Sequence, residues 1–562
     1  MTRFRRFVCA FAVSFVPAVL TLRAERFFVG VLEADGYQSL NYGATAFGRV
    51  ADLAVAAEIV DSVLLEMLAL PSLSALAPGQ LLRVIQTLDP DQPRGETNPA
   101  HVAIVPLAVT ATAFYGLYGA AYESRRDRGP FICYEQPKST NLPTRVMVAV
   151  SGRYALTSRS EEALAWVWEN RTRLIDAPAQ RIPGTLRLLV NPQRLADVLG
   201  AKTEQAAALF DFDRFIRDFE ALSFSLSLDG QAIALTLSGT PLADSNLDYF
   251  VRALHPPSDR LWNGIPKHAF FASVSACSRP ELWDTYLGKT RLRLLMPTAD
   301  VLPPAAFNGE HLFFLCPTHD KLGLCFMHVA PVSDAAAAAV AITKMDGQKL
   351  DEGISLKRGP SRKSEGVEIA SYEFVFPEPP AGAQEKPIAL KDASVLYTLL
   401  ALFLKDAVLE CAVTDGRLIT FIGPRQAFEG SLADLTFGDV PLTLRRRIGV
   451  QDAALSQDLC VGSMLAATAL LKHLVAIMPG VRPEHLRVFP MVGDGATFGI
   501  CCGEGRTLTA SLRLQSNEIA TLQHINREGR QVLQELFFQM FSVRLLNLHQ
   551  PAIRPEFKKG QP

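Results

Sequence analysis

The chain has 562 residues, 49% of them hydrophobic and 20% charged, which excludes a disordered protein and predicts two to four domains. Its 56 basic and 57 acidic residues give a formal net charge of -1. Nucleic-acid-binding proteins usually carry a basic excess or a basic face, so the sequence predicts no nucleic-acid partner. Three short basic runs lie beside Gly, Pro or Ser and are interpreted as solvated loops: 125–128, 357–363 and 445–447.

Residues 1–24 are typical of a signal peptide. Three arginines precede an uncharged apolar run over 7–22, and Ala24 offers a small residue for cleavage. The alternative is an uncleaved membrane anchor, which a short run interrupted by Pro17 disfavours. Cys9 lies inside the run, without the small residues that precede a lipidated cysteine. The sequence therefore predicts an exported, soluble protein of the periplasm or cell envelope, with no stable transmembrane span after cleavage.

A second uncharged run, 102–122, has the length of a membrane-spanning helix. It contains Pro106, Gly116 and Gly119, and its first residues have the pattern of a strand. A buried strand followed by a buried helix is therefore favoured over a span.

One unit recurs in the two halves of the chain: an apolar strand, a tight turn at Gly, a second strand and a helix. The turn glycines are Gly152 and Gly416, where a short hairpin needs a positive φ. Ser160 is the predicted N-cap of the first of the two helices, and Pro424 suits the first turn of the second. This recurrence is the strongest signal in the sequence.

Other elements follow in the same order in both halves, which favours an internal duplication over chance similarity among βα units. The hairpins with the turns Asp229-Gly230 and Glu504-Gly505 are one such pair. The offset between corresponding landmarks rises from 225 to 263, so the second half carries about 38 extra residues (263 minus 225). These are assigned to a polar and Pro-rich segment, 347–387, which is interpreted as a projecting loop.

We therefore expect an α+β fold of two tandem related domains, each a mainly antiparallel sheet with helices packed on it. The expected organisation is a signal peptide over 1–24, a first domain over 25–255, a second domain over 256–530 with the Pro-rich insertion near 347–387, and a C-terminal helix and tail over 531–562. This layout of paired strands, Gly turns and capped helices resembles a loose set of large exported bacterial proteins of unknown function. The resemblance is one of layout across most of the mature chain; it has no diagnostic motif and implies no catalytic residue.

Eight cysteines remain after the signal peptide, and most are expected to be buried thiols. One cluster repeats the spacing Cys-x-x-His: His311, Cys316, His319, Cys325 and His328. The cluster is predicted to form two strands joined by a turn. Residues three apart in a strand point to opposite faces, so Cys325 and His328 are not expected to share a zinc ion. A turn centred at 320–321 would place Cys316 opposite Cys325, where a disulfide and two buried thiols both remain open.

Three other features have weak chemical signals. Gly493-Asp494-Gly495 is interpreted as a hairpin turn and not as a phosphate-binding loop, because a strand and not a helix is predicted after it. Cys501-Cys502 lacks the Cys-x-x-Cys spacing of redox sites. Four acids between 211 and 220 alternate with phenylalanines at helical spacing, so they are expected on the solvated face of an amphipathic helix.

No catalytic, cofactor-binding or metal-binding residue is predicted, and no cofactor is expected. The sequence predicts a non-enzymatic envelope protein of unknown role that binds a protein or small-molecule ligand, or acts as a scaffold, with a cleft between the two halves as the expected site. The alternatives are a secreted hydrolase with a dispersed active site and an N-terminally anchored protein of envelope assembly.

Overall fold

A computed structural model gives the fold of the chain. It describes residues 28–50, 56–87, 100–139, 142–177, 184–200, 211–262, 265–266, 268–279, 282, 309–318, 323–350, 354–364, 366–375, 407–425, 459–477, 481, 483–489, 495–503 and 506–528. The signal peptide expected at 1–24 and the tail expected at 531–562 lie outside these residues.

The described residues form a large antiparallel sheet with helices packed on it, which confirms the α+β class. The strands of the first half are β1 Phe28–Ala34, β2 Leu82–Thr87, β3 Ala100–Pro106, β4 Tyr122–Arg128, β5 Phe131–Pro137, β6 Arg145–Ser151, β7 Tyr154–Ser158, β8 Leu186–Val190, β9 Phe219–Leu228 and β10 Ala232–Pro241. Those of the second half are β11 Phe271–Ala276, β12 Glu310–Pro317, β13 Leu324–Pro331, β14 Ser355–Arg358, β15 Arg362–Ser364, β16 Val367–Val375, β17 Val408–Thr414, β18 Arg417–Gly423, β19 Leu459–Leu465, β20 Ala496–Gly503 and β21 Thr507–Gln515.

The helices connect these strands. They are α1 Tyr37–Val50, α2 Ala56–Met67, α3 Ala111–Ala121, α4 Glu161–Glu169, α5 Arg171–Asp176, α6 Pro192–Gly200, α7 Phe212–Arg217, α8 Asn246–Ala253, α9 Asp259–Trp262, α10 Ala335–Thr343, α11 Ala467–Ala476 and α12 Ser516–Glu528. Short 3-10 helices span Leu73–Ala75 and Pro483–Val488.

The strands of the two halves take corresponding positions on both sides of the sheet centre, with β14 and β15 together in the place of β4. From the outer edge inward, the first half runs β4, β5, β6, β7, β3, β2, β1, β8, β9, β10. The second half runs β14 and β15 side by side on β16, then β17, β18, β13, β12, β11, β19, β20, β21. At the centre β10 pairs with β21, so the strands of both halves belong to one sheet.

The pairing of β10 with β21 is the seam of the molecule. Eight residue pairs join the two strands, from Ala232 opposite Gln515 to Gly239 opposite Leu508. The guanidinium of Arg506 also lies 3.4 Å from the buried carboxylate of Asp248 in α8. Backbone bonds and charge contacts therefore hold the halves together directly.

The turns and caps predicted from the sequence are present. Gly152 and Gly416 both adopt positive φ, at 61° and 68°, between the strands of tight hairpins. The Ser160 hydroxyl accepts a hydrogen bond from the amide of Ala163 and so caps α4. The run 102–122 is a strand, β3, followed by the helix α3, and no described helix is long and apolar enough to cross a membrane. Pro424 and Arg425 are not helical, and the rest of the helix expected from Pro424 lies outside the described residues.

Two of the basic runs interpreted as loops are strands. Residues 125–128 lie in β4, and 357–358 and 362–363 lie in β14 and β15. These strands are the outer edges of the sheet within the described residues, and positive charge on an edge discourages pairing with another chain. The composition correctly indicated exposure but not secondary structure, because edge strands and loops are both polar. The run 445–447 lies outside the described residues.

Part of the segment 347–387, which was expected to project as a loop, forms strands of the sheet. Residues 355–358, 362–364 and 367–375 form β14, β15 and β16, and β16 pairs with β17 and is buried over 369–372. The connection from β16 to β17 spans 375–408, whereas that from β5 to β6 spans 137–145. The extra length of the second half therefore lies mostly after the strands, and the Pro-rich residues 376–387 lie outside the described residues.

Candidate functional site

The two faces of the sheet differ in chemistry around the seam. Residues directly opposite each other on neighbouring antiparallel strands point to the same face, so the register assigns every side chain. On one face Leu235 lies opposite Leu512 and Leu226, and Leu512 lies opposite Phe498. On the other face Thr236 lies opposite Ser511 and Ser225.

We call the first surface the central apolar face. Its residues come from β9, β10, β21, β20, β19 and β11: Leu226, Leu228, Ile233, Leu235, Leu237, Ala510, Leu512, Leu514, Ala496, Phe498, Ile500, Val461, Ser463, Leu465, Phe271, Ser273 and Ser275. None of them carries a charge, and each is half-buried or exposed. Leu512 is 45% exposed and Leu465 is 40% exposed. Six neighbouring strands thus present uncharged, mostly aliphatic side chains that the described helices do not fully cover.

The opposite face is polar at the seam yet better buried. Ser223, Ser225 and Ser511 are all buried. The Thr236 hydroxyl donates to the hydroxyl of Ser511 at 3.4 Å, and those of Ser238 and Thr509 are 3.3 Å apart. Hydroxyls that bond each other remove much of the cost of burial, so this face can be covered while the leucine face stays open.

A buried ion pair lies on the same polar face, in the strands of the first half. Arg83 of β2 lies opposite Glu33 of β1, with its Nε 2.9 Å from the Glu33 carboxylate, and both are nearly inaccessible. The Arg83 guanidinium also donates to the carbonyls of Leu174 and Ile175 at the end of α5. This arrangement satisfies both charges internally and fixes α5 on the sheet, so it has a structural role.

Two histidines lie at the border of the central apolar face. His311 of β12 is opposite Ser275, and its Nδ1 is 3.1 Å from Nε2 of His328 on β13. The His328 ring stacks on Phe313, with centroids 4.5 Å apart. Burial lowers the pKa of His311 to about 4, and it lowers the pKa of His328 well below the usual range. Both rings are therefore neutral near pH 7.

The thiol of Cys411 is not activated. Cys411 of β17 is opposite Thr420, which is opposite His328. Burial raises the pKa of Cys411 to about 12, so the thiol keeps its proton at neutral pH. With Thr420 between them, the neutral His328 and the protonated, buried thiol of Cys411 do not form a nucleophile with its base.

The cluster predicted around the Cys-x-x-His spacings has the expected hairpin. β12 pairs with β13, and Cys325 and His328 lie on opposite faces of β13, against different core clusters. Cys316 lies directly opposite Cys325 with the sulfurs 3.3 Å apart, and His311 meets His328 on the other face. His319 lies outside the described residues, and no group of three or more metal-ligating side chains occurs within them.

The structure also places the 211–220 helix, the strand after Gly495 and the pair Cys501-Cys502. The amphipathic helix expected over 211–220 is shorter: α7 ends at Arg217, and Phe219 begins β9. Thr497 lies in a strand, as expected, while most of the preceding glycine turn lies outside the described residues. Cys501 and Cys502 lie in β20, and a hydrogen bond with Cys460, followed by burial, raises the pKa of Cys502. A raised pKa disfavours the thiolate that redox chemistry needs.

Sequence reasoning missed the central apolar face. The signal was present in β10, where Ile233, Leu235 and Leu237 alternate with Ala, Thr and Ser. Such alternation normally indicates a leucine face turned to the core.

Comparison with protein-family models, with curated proteins and with solved structures finds no match to this chain.

Proposed function

We propose that the protein is an exported, non-enzymatic binding protein of the cell envelope, and that it binds its partner through the central apolar face. The observation that carries this proposal is the exposure of Leu512 and Leu465 among half-buried, uncharged and mostly aliphatic neighbours on six adjacent strands. Exposing aliphatic side chains costs free energy, and large apolar patches on folded proteins usually mark sites of interaction.

We also propose that the two halves are related copies joined by an internal duplication. Both halves use one strand order, and Thr236 and Ser511 each stand six residues after the glycine of an acid–Gly dipeptide (236 minus 230, 511 minus 505). These two residues lie opposite each other at the seam, so β10 pairs with its own counterpart. Self-pairing of equivalent strands is what a local two-fold axis produces. On this proposal each half supplies half of the binding face.

The proposed partner is a protein that presents an aliphatic surface. Strands of the central apolar face pair with neighbours on both sides, so their backbones are not free to add a further strand. Binding would then rely on side chains, and the lack of charge on this face favours aliphatic groups over an ionic ligand. The apolar side of an amphipathic helix presents aliphatic groups of this kind.

The test compares two leucines of equal exposure. Leu512 on the central apolar face and Leu242, after β10, are each 45% exposed. Full burial of a leucine contributes about 1.5–3 kcal/mol, so covering the exposed part of Leu512 is worth about 1 kcal/mol, or roughly a fivefold change in affinity. We expect Leu512→Ser to weaken binding of the dye 8-anilinonaphthalene-1-sulfonate, which binds apolar surfaces through its rings, by about this factor, measured by fluorescence titration.

The matched control is Leu242→Ser, which should leave dye binding unchanged. Circular dichroism of both variants should match the unsubstituted chain, since neither leucine is buried. Equal loss of dye binding in the two variants, or none in either, would contradict the assignment of the central apolar face as the binding surface.

A further inference from the structure

The hairpin of β12 and β13 places two thiols in direct contact. Cys316 and Cys325 lie opposite each other, their sulfurs are 3.3 Å apart, and both residues are buried, at 4% and 0% exposure. They belong to the same core cluster, on the face of the hairpin that points away from the two histidines.

The backbone separation at this pair suits a covalent link. The amide of Thr318 donates to the carbonyl of Gly323, which identifies 318 and 323 as a hydrogen-bonded pair of the antiparallel ladder. Pairs of this kind recur every two residues, so Cys316 and Cys325 form the next one, with α-carbons about 5.5 Å apart. Disulfides bridge α-carbons about 4.4–6.8 Å apart, which this separation meets. Their β-carbons lie about 3.5–4.5 Å apart, closer than the roughly 5.5 Å of a hydrogen-bonded pair, so the two strands must draw together by about 1 Å at this point for the link to close.

We infer that Cys316 and Cys325 are joined by a disulfide in the mature protein. The oxidant is a disulfide of the oxidising compartment, either a small molecule or an exchange protein, and its presence rests on the proposed export. One cysteine, as thiolate, attacks the oxidant disulfide, forms a mixed disulfide and releases one thiol. The second thiolate attacks the protein sulfur of that intermediate, forms the S–S bond and releases the other thiol. Two electrons and two protons pass from the pair to the oxidant.

Burial decides when the exchange occurs. An oxidant cannot reach either sulfur in the folded chain, so the link forms while the hairpin is still open to solvent during folding. Once formed, the same burial protects it from reductants.

A tryptic site between the two cysteines allows the disulfide to be detected by mass spectrometry. Trypsin cleaves after Lys321, between the two cysteines, and leaves them in separate peptides, 294–321 and 322–344, each with one cysteine. The full chain is refolded in a buffer of oxidised and reduced glutathione, free thiols are alkylated in denaturant, and the digest is analysed by mass spectrometry without reduction. We expect the two peptides to appear joined, and the oxidised chain to show two fewer titratable thiols than the reduced chain.

Two variants act as controls. Cys316→Ser should release both peptides separately, whereas Cys411→Ser, at a buried cysteine of another core cluster, should leave the joined pair unchanged. Recovery of both peptides separately and alkylated from the refolded chain would overturn the inference. Refolding in vitro does not depend on the compartment, so this result is independent of whether the chain is exported.

Discussion

The paired histidines make the stability of the second half dependent on pH. Both rings are neutral in the folded protein, where His328 is buried and His311 half-buried, and this burial lowers their pKa values below the ordinary 6.5. In the unfolded chain each imidazole takes up a proton as the pH falls through about 6.5. Acid therefore stabilises the unfolded state relative to the folded state, and stability decreases from pH 6.5 down to the folded pKa, about 4 for His311.

The size of the effect follows from the same values. With a folded pKa of about 4 for His311, the linkage relation gives a loss of about 2 kcal/mol between pH 7 and pH 5. His328 shifts in the same direction and adds to the loss. For a urea dependence of about 3 kcal/mol per molar, the unfolding midpoint should fall by at least roughly 0.6 M over this interval.

The assay is urea unfolding at pH 7 and pH 5, followed by far-ultraviolet circular dichroism. Replacement of both rings, His311→Phe with His328→Phe, preserves the stacking on Phe313 and removes the protons, so it should abolish most of the decrease. His268→Gln, at an exposed position, is the control and should retain the full decrease. An equal decrease in the double variant and the unsubstituted chain would refute the explanation.

Two further predictions concern the buried ion pair and the N-terminus. Arg83→Ala leaves the Glu33 carboxylate buried without its main cation and should lower the free energy of unfolding by about 3–5 kcal/mol in denaturant titrations, whereas Arg125→Ala, in an exposed pair, should change it by less than about 1 kcal/mol. N-terminal sequencing of the chain from the cell envelope should begin after Ala24; finding Met1 or Thr2 would instead support the anchored alternative.

Local structure was largely readable from the sequence. The turn glycines Gly152 and Gly416 and the cap Ser160 act through their own backbone or nearest neighbours, so their roles do not depend on distant residues. The hairpin register that places Cys316 opposite Cys325 followed from counting residues around one turn. The repeated order of strands and helices likewise depends only on elements that each segment specifies for itself.

Tertiary structure decided what those elements became. The joining of β10 to β21 depends on residues 269 to 283 positions apart (508 minus 239, 515 minus 232), which no local pattern encodes. The leucines of β10 follow the alternation of a core face, yet Leu235 and its neighbour Leu512 lie on the more open side, because exposure depends on which helices cover a face. The basic sequences of β4 and β14 were interpreted as loops, because a strand at a sheet edge has one solvated side and tolerates the same residues as a loop. Periodicity gives the two faces of a strand, and only packing selects the one that is buried.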